Sequence, residues 1–150
     1  MDEKMIEVRE FTGPGYQPVI DFGTWRVATL NYVDEIHPKR IEKVERHNET
    51  DEVFVLIKGQ GILFLGEGER RPKKIHSLLM QTGKIYNVKR NIWHTIVLSR
   101  TGTVLIVENR NTSKENSDYS LLNLKGRMKI IEKAKQEMAD WKKQEKEENS

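Results

Sequence analysis

The chain has 150 residues, 36% hydrophobic and 33% charged, with a net charge of +3 and no cysteine. That length suits one domain with a proper hydrophobic core. Without cysteine there are neither disulfides nor thiolate metal sites. A pI near 9 hints at nucleic acid. However, charges alternate in sign along most of the chain, and the densest basic run, "ERRPKK" (69–74), has no interleaved aromatics. It reads as a solvated turn, and no nucleic-acid partner is expected. No apolar run approaches the roughly 20 residues of a bilayer span, so no membrane partner is expected. No leader pattern is read at the N-terminus, and a cytoplasmic location is expected.

Residues 1–24 read as an irregular N-terminal arm with one short extended piece, because "FTGPGYQPVIDFG" is rich in glycine and proline. From Trp25 the pattern becomes strand-like. "WRVATLNYV" alternates and is rich in β-branched and aromatic residues. After the interruption "EIHPKRIEK" come short apolar segments, among them "EVFVLIK", "ILFLG", "KIHSLLM", "WHTIVLS" and "TVLIVEN". Many short strands bounded by turn residues predict an all-β sandwich or barrel over 25–110. "KGQG" (58–61) reads as a hairpin, and "GEGE" (66–69) closes the next strand. Neither is followed by a helix pattern, which argues against a phosphate-cradling loop.

Residues 111–124 read as a linker, and 125–150 as a C-terminal helix with a charged tail. Ile130, Ala134, Met138 and Trp141 recur at helical spacing and make one apolar stripe. The stripe is expected to pack on the outside of the barrel or on a second subunit. The last nine residues hold six charges and no apolar side chain, and fraying is expected there.

The stretch that draws attention is "VERHNETDEVFVLIKGQG" (44–61). Glu45 and His47 are two apart and share a strand face. Glu52 heads the next strand, with Phe54 and Leu56 on its face. Glu49 and Asp51 fall in the turn between and read as solvated. His94, in "NIWHTIVLS", shares its face with Ile96 and Leu98. An inward imidazole in so apolar a strand needs a partner for its ring nitrogens. His37, before Pro38, reads as a surface residue, and His76 as an edge-strand surface position. Trp25, Tyr32, Phe54, Met80, Tyr86 and Trp93 are candidate pocket walls, with plain core or a dimer interface as the alternative.

The spacing resembles the two motifs of the cupin superfamily. His47 is followed after four residues by Glu52, and after six more by Gly59. Glu45 stands where the family has its first histidine, and the opening glycine is missing near Arg40. In the second motif Gly83 and His94 are in place, while Lys89, Asn91 and Leu98 replace proline, glycine and asparagine. The resemblance spans about Trp25 to Asn109. It implies a double-stranded β-helix, or jelly-roll, barrel with the C-terminal α-helix appended. It also implies metal ligation by His47, Glu52 and His94, with Glu45 either a fourth ligand or a general base.

Nitrogen and oxygen ligands without sulfur suit divalent Fe, Mn, Ni, Co or Zn, and a second carboxylate favours Mn(II) or Fe(II). The expected function is a metal-dependent enzyme of dioxygenase or isomerase type acting on a small oxygen-bearing molecule. The alternative is a non-catalytic small-molecule-binding barrel whose metal site has degenerated. Apolar residues on both faces of "VFVLI" and "ILFL" predict that the outer sheet faces are covered too, by the helix or in a homodimer.

Overall fold

The structure is a computed structural model and describes residues 2–138 and residue 141. Ten strands are present: β1 (Gly15–Phe22), β2 (Trp25–Asn31), β3 (Lys43–His47), β4 (Glu52–Lys58), β5 (Gly61–Glu67), β6 (Lys74–Leu79), β7 (Ile85–Val88), β8 (Trp93–Leu98), β9 (Thr103–Asn109) and β10 (Ser117–Leu121). One helix, α1 (Leu124–Glu137), follows. The strands form two five-stranded antiparallel sheets, in the orders β1-β2-β9-β4-β7 and β10-β3-β8-β5-β6. Within β2–β9 the chain changes sheet at each step except β5–β6, where it turns back within one sheet. That is the jelly-roll topology, and the fold is all-β with one C-terminal helix, as the sequence predicts.

Alternation builds the barrel. In β9 every second residue is buried: Val104, Ile106 and Glu108. In β4 the inward set is Glu52, Phe54 and Leu56. Leu30, Leu63, Ile96 and Leu98 join them in the interior cluster. Each such aliphatic side chain contributes about 1.5–3 kcal/mol by leaving water.

The helix covers the second sheet. Asn123 caps it by accepting a hydrogen bond from the Gly126 amide at 2.8 Å. Ile130, Ala134, Met138 and Trp141 are all buried and pack with Ile62, Phe64, Ile75 and Val97. The strand "ILFL" is therefore buried on both faces within one chain. The frayed tail expected over residues 142–150 lies outside the described residues.

Two local features differ from the sequence expectations, and a third, the extended piece of the arm, is longer than expected. "KGQG" is not a hairpin: β4 and β5 belong to different sheets, and the turn carries the chain around the barrel's corner. Gly59 has φ +75, and a Cβ there would stand 2.6 Å from Gly102 Cα. Glycine is thus required both by the backbone and by the close approach of the 99–102 turn. Within the expected arm, residues 15–22 form edge strand β1, which carries Pro18 beside a register shift, where a missing N–H is tolerated. Within the expected linker, residues 117–121 form β10, paired to β3.

One pairing is unusually thin. Strands β3 and β8 share a single residue pair, Glu45 with His94.

Candidate metal centre

Register places the candidate side chains. On the first sheet Arg26 pairs with Glu108, and the register that pairs Val53 with Val107 sets Glu52 beside Glu108. The inward row at one end of that sheet therefore reads Arg26, Glu108, Glu52. The next row inward is Ala28, Ile106 and Phe54, and it is apolar. On the second sheet the Glu45–His94 pair faces that charged row, and His47 lies two residues on from Glu45. Five strands thus bring three carboxylates, two imidazoles and one guanidinium to one end of the barrel.

The groups converge closely. His47 Nε2 lies 2.5 Å from Glu52 Oε2 and 3.9 Å from Glu45 Oε1. His94 Nε2 lies 3.8 Å from Glu52 Oε2 and 4.0 Å from Glu45 Oε1. Two overlapping sets have all their ligand atoms within 4.8 Å: Glu45 with His47 and His94, and His47 with Glu52 and Glu108. His47, Glu52, His94 and Glu108 are buried, while Glu45 keeps part of its side chain in solvent.

The outer nitrogens of both histidines are held. His94 Nδ1 sits 3.0 Å from the Ile92 carbonyl oxygen. A carbonyl only accepts, so Nδ1 carries the proton and Nε2 presents a lone pair to the cavity. His47 Nδ1 is 2.8 Å from Ser117 Oγ. Both Nε2 atoms are buried; that of His94 makes no hydrogen bond, and that of His47 meets only the Glu52 carboxylate. Oriented imidazoles with anchored Nδ1 and converging Nε2 atoms are what a metal ion requires of histidine ligands. The donor set of two nitrogens and one or two carboxylates fits a divalent first-row ion.

Burial sets the charge states. It drives the His94 pKa down to about 4, so this imidazole is neutral at physiological pH. Burial also lowers that of His47, but the Glu52 hydrogen bond and the charges of Glu52, Glu45 and Glu108 outweigh it and leave the pKa raised. The Glu52 pKa is raised, chiefly by burial and against the opposing pull of His47. Glu45 is raised by burial as well.

Glu108 is the residue the sequence reading missed. Its Oε1 accepts from Tyr16 O–H at 2.6 Å and from Arg26 Nε and Nη2 at 3.1 and 2.8 Å. Arg26 also donates to the Arg110 and Thr112 carbonyls, fastening the loop after β9 beside the cavity. Burial, then the Glu108 contact, raises the Tyr16 pKa and keeps the phenol protonated. The signal for Glu108 lay in "TVLIVEN", where it follows Val104 and Ile106 at period two.

A cavity of about 530 Å³ holds the cluster, with Phe54, Ile96 and Ile106 as apolar wall. Of the six proposed wall residues, only Phe54 lines it. Met80 belongs to the interior cluster, Tyr32 lies beside Trp141, and Trp25 is largely exposed. Trp93 is buried under Arg46 and donates to the Gly68 carbonyl. His37 packs edge-on against Trp141 and accepts from the Lys39 amide, and His76 is exposed. A second cavity of about 520 Å³ abuts the first across Glu45, His94 and Thr95.

No family model matches the chain, and no curated protein matches it. Solved structures do. A tyrosine variant of Streptomyces PAC13 with uridine overlays at a TM-score of 0.53 and 10% identity, covering 75% of this chain and 83% of that one. The parent Pac13, described as a unique nucleoside dehydratase with a β-barrel, overlays at 0.53 and 9% identity over the same shares. A cupin-2 domain protein from Shewanella frigidimarina overlays more weakly, at 0.44 and 18% identity, covering 67% and 85%. The jelly-roll strand order, the two five-stranded sheets and the Pac13 overlay together give this chain a β-barrel fold of the kind Pac13 has.

Proposed function

We propose that the chain binds a divalent metal ion through His47 Nε2, His94 Nε2 and the Glu52 carboxylate, with Glu45 as fourth ligand, and acts on a small oxygen-bearing molecule in the barrel. The observation that carries this is the convergence of two buried Nε2 atoms on two carboxylates, with that of His94 left without a hydrogen bond. Left without a partner, such a buried polar atom costs about 1–3 kcal/mol, a penalty that a metal ion would remove. Such an ion supplies Lewis-acid polarisation or dioxygen activation to a bound substrate.

The chain's own residues do the rest. Ser117 and the Ile92 carbonyl orient the imidazoles. Glu45, at the more open edge of the cluster, is placed to take a proton from a substrate hydroxyl when it is not bound to the ion. Phe54, Ile96 and Ile106 exclude water from the inner wall. Dioxygenase and isomerase chemistry are both compatible with this set of groups.

The test is elemental analysis of protein purified without chelators, followed by titration with Fe(II), Mn(II), Ni(II), Co(II) and Zn(II). Near-stoichiometric metal that is lost in His47→Ala and His94→Ala is the expected result. Metal binding unchanged by both substitutions would place the ion elsewhere.

One observation favours a second reading, a non-catalytic binding barrel. The His47–Glu52 contact and the Arg26–Glu108 pair already offset part of the buried charge without an ion. Protein that is metal-free as purified and refuses all five ions would decide for it.

The proposal includes a homodimer in the cytoplasm. Ile57 and Ile85 on the first sheet are exposed, whereas the helix buries the second sheet's outer face. A clean monomer in light scattering would remove the dimer. Among the described residues no helix is long and apolar enough to cross a membrane.

A further inference from the structure

Three carboxylates, Glu45, Glu52 and Glu108, face the cavity against one guanidinium, Arg26. A divalent ion would cancel the two remaining negative charges and leave no positive surplus. Four of the five Arg26 N–H donors are also engaged. Its Nε and Nη2 go to Glu108, and its Nη1 and Nη2 reach the Arg110 and Thr112 carbonyls. It is a counter-ion and a strut, and cannot clamp a ligand without releasing them.

Hydrogen-bonding capacity leans the same way. The Tyr16 hydroxyl is spent on Glu108, Ser117 is paired with His47, Thr112 Oγ1 donates to Asn109, and Ser113 Oγ caps the following turn. Acceptors remain at the Glu45 carboxylate and at Glu108 Oε2, since the contacts to Glu108 fall on Oε1. The remaining cationic side chain lining the cavity, Lys114, stands exposed. Thr95 and Tyr119 add hydroxyls that can donate or accept, so the bias lies in charge: a pocket with three carboxylates against one guanidinium favours a ligand that donates and rejects one that brings its own negative charge.

From this we infer that the cavity takes a neutral polyhydroxylated molecule, a sugar or cyclic polyol, and discriminates against carboxylate and phosphate derivatives of the same skeleton. The inference deepens the small-molecule reading above. Adjacent hydroxyls of such a ligand would donate to Glu45 and Glu108, and its apolar ring face would lie on Phe54 and Ile106. The volume of about 530 Å³ falls within the range of small-molecule sites and exceeds the needs of one hexose.

The test uses the full chain, with its metal content measured on the same sample. D-glucose, D-glucuronate, D-glucose 6-phosphate and D-glucosamine are titrated at millimolar concentration by calorimetry. Glucose is expected to bind at least about tenfold more tightly than either anion, the scale of one lost or opposed polar contact. Glu108→Gln frees the Arg26 guanidinium and is expected to narrow the glucose-to-glucuronate ratio about tenfold. Should that variant fail to fold, Glu45→Gln, at the more exposed edge, removes one charge and is expected to shift the ratio the same way. Anions bound as tightly as glucose, tighter binding of glucosamine by metal-loaded protein, or no binding by any of the four would overturn the inference. Protein that refuses all five ions and still prefers glucose would sink the metal reading and leave this one standing. Metal-loaded protein that prefers the anions would do the reverse.

Discussion

The two ends of this barrel are made by the same strands and the same faces, yet they differ completely. At one end β4, β8 and β9 turn in Leu56, Leu98 and Val104, which pack with Leu63 and Met80. At the other the same strands turn in Glu52, His94 and Glu108. The closed end supplies the burial energy that the open end consumes in desolvating charged groups. Stability and chemistry are thus separated along each strand by one or two turns of the pleat, and substitutions at the two ends should separate in the same way.

The largest effect on folding is expected at the closed end. Leu98 is fully buried, and Leu98→Ala should cost about 2–5 kcal/mol in denaturant unfolding. Metal uptake by the folded fraction should be unchanged. Loss of metal in that variant would break the separation of the two ends.

Arg26→Ala comes next. It strands the Glu108 carboxylate in a buried row, where the loss of a buried partner costs about 3–5 kcal/mol. The Arg26 side chain is 17% exposed, which reduces the expected cost to about 2–3 kcal/mol. Limited proteolysis should also find the 110–112 segment more accessible. A stability within error of the parent would mean that the open end tolerates bare charge.

The acid response sharpens the contrast further. A group with a depressed folded-state pKa contributes stability that is present above its unfolded pKa and lost as pH falls. For His94 this window runs from about 6.5 down to about 4. Glu52 has the opposite sign: its raised pKa favours the fold in acid, and this contribution is lost as pH rises from 4.5 through the shifted value. In chelator, the two slopes oppose each other. With metal bound, Glu52 must ionise and stability should climb with pH. Thermal melts between pH 4 and 8, with and without chelator, read both arms, and His94→Gln should flatten the acid arm. Identical profiles with and without metal would sink the assignment of Glu52 as a ligand.

The smallest effect on folding is expected at Ser117. Ser117→Ala removes only the Nδ1 partner of His47. It should cost about 1 kcal/mol in stability and about tenfold in metal affinity. The conservative Ser117→Thr should restore the affinity, which a purely structural role would not require.

Much of this organisation was legible because it is local. Period-two alternation aims Glu45 and His47 together and sets Glu52 on the face of Phe54 and Leu56. The motif spacing adds His94 from a distant strand. Glu108 carried the same alternation signal, but one acid ending an apolar strand also reads as a solvated strand end. Arg26 likewise alternates with Ala28 and Leu30. Nothing in "GPGYQP" marks Tyr16, because its role depends on β1 pairing with β2 across a register shift. The "KGQG" corner was misread for a related reason. Glycine serves a hairpin and a change of sheet equally well, and only the distant 99–102 turn decides between them.

The single residue pair between β3 and β8 has a mechanical consequence. The second sheet is nearly unzipped along this line, and the one closed tooth is Glu45 with His94. His47 lies on one bank of the seam and His94 on the other. Any ion gripped by both imidazoles is therefore also a rivet across the weakest joint in the barrel. Loading the site and stiffening the wall would then be one event, along the line where the second cavity opens.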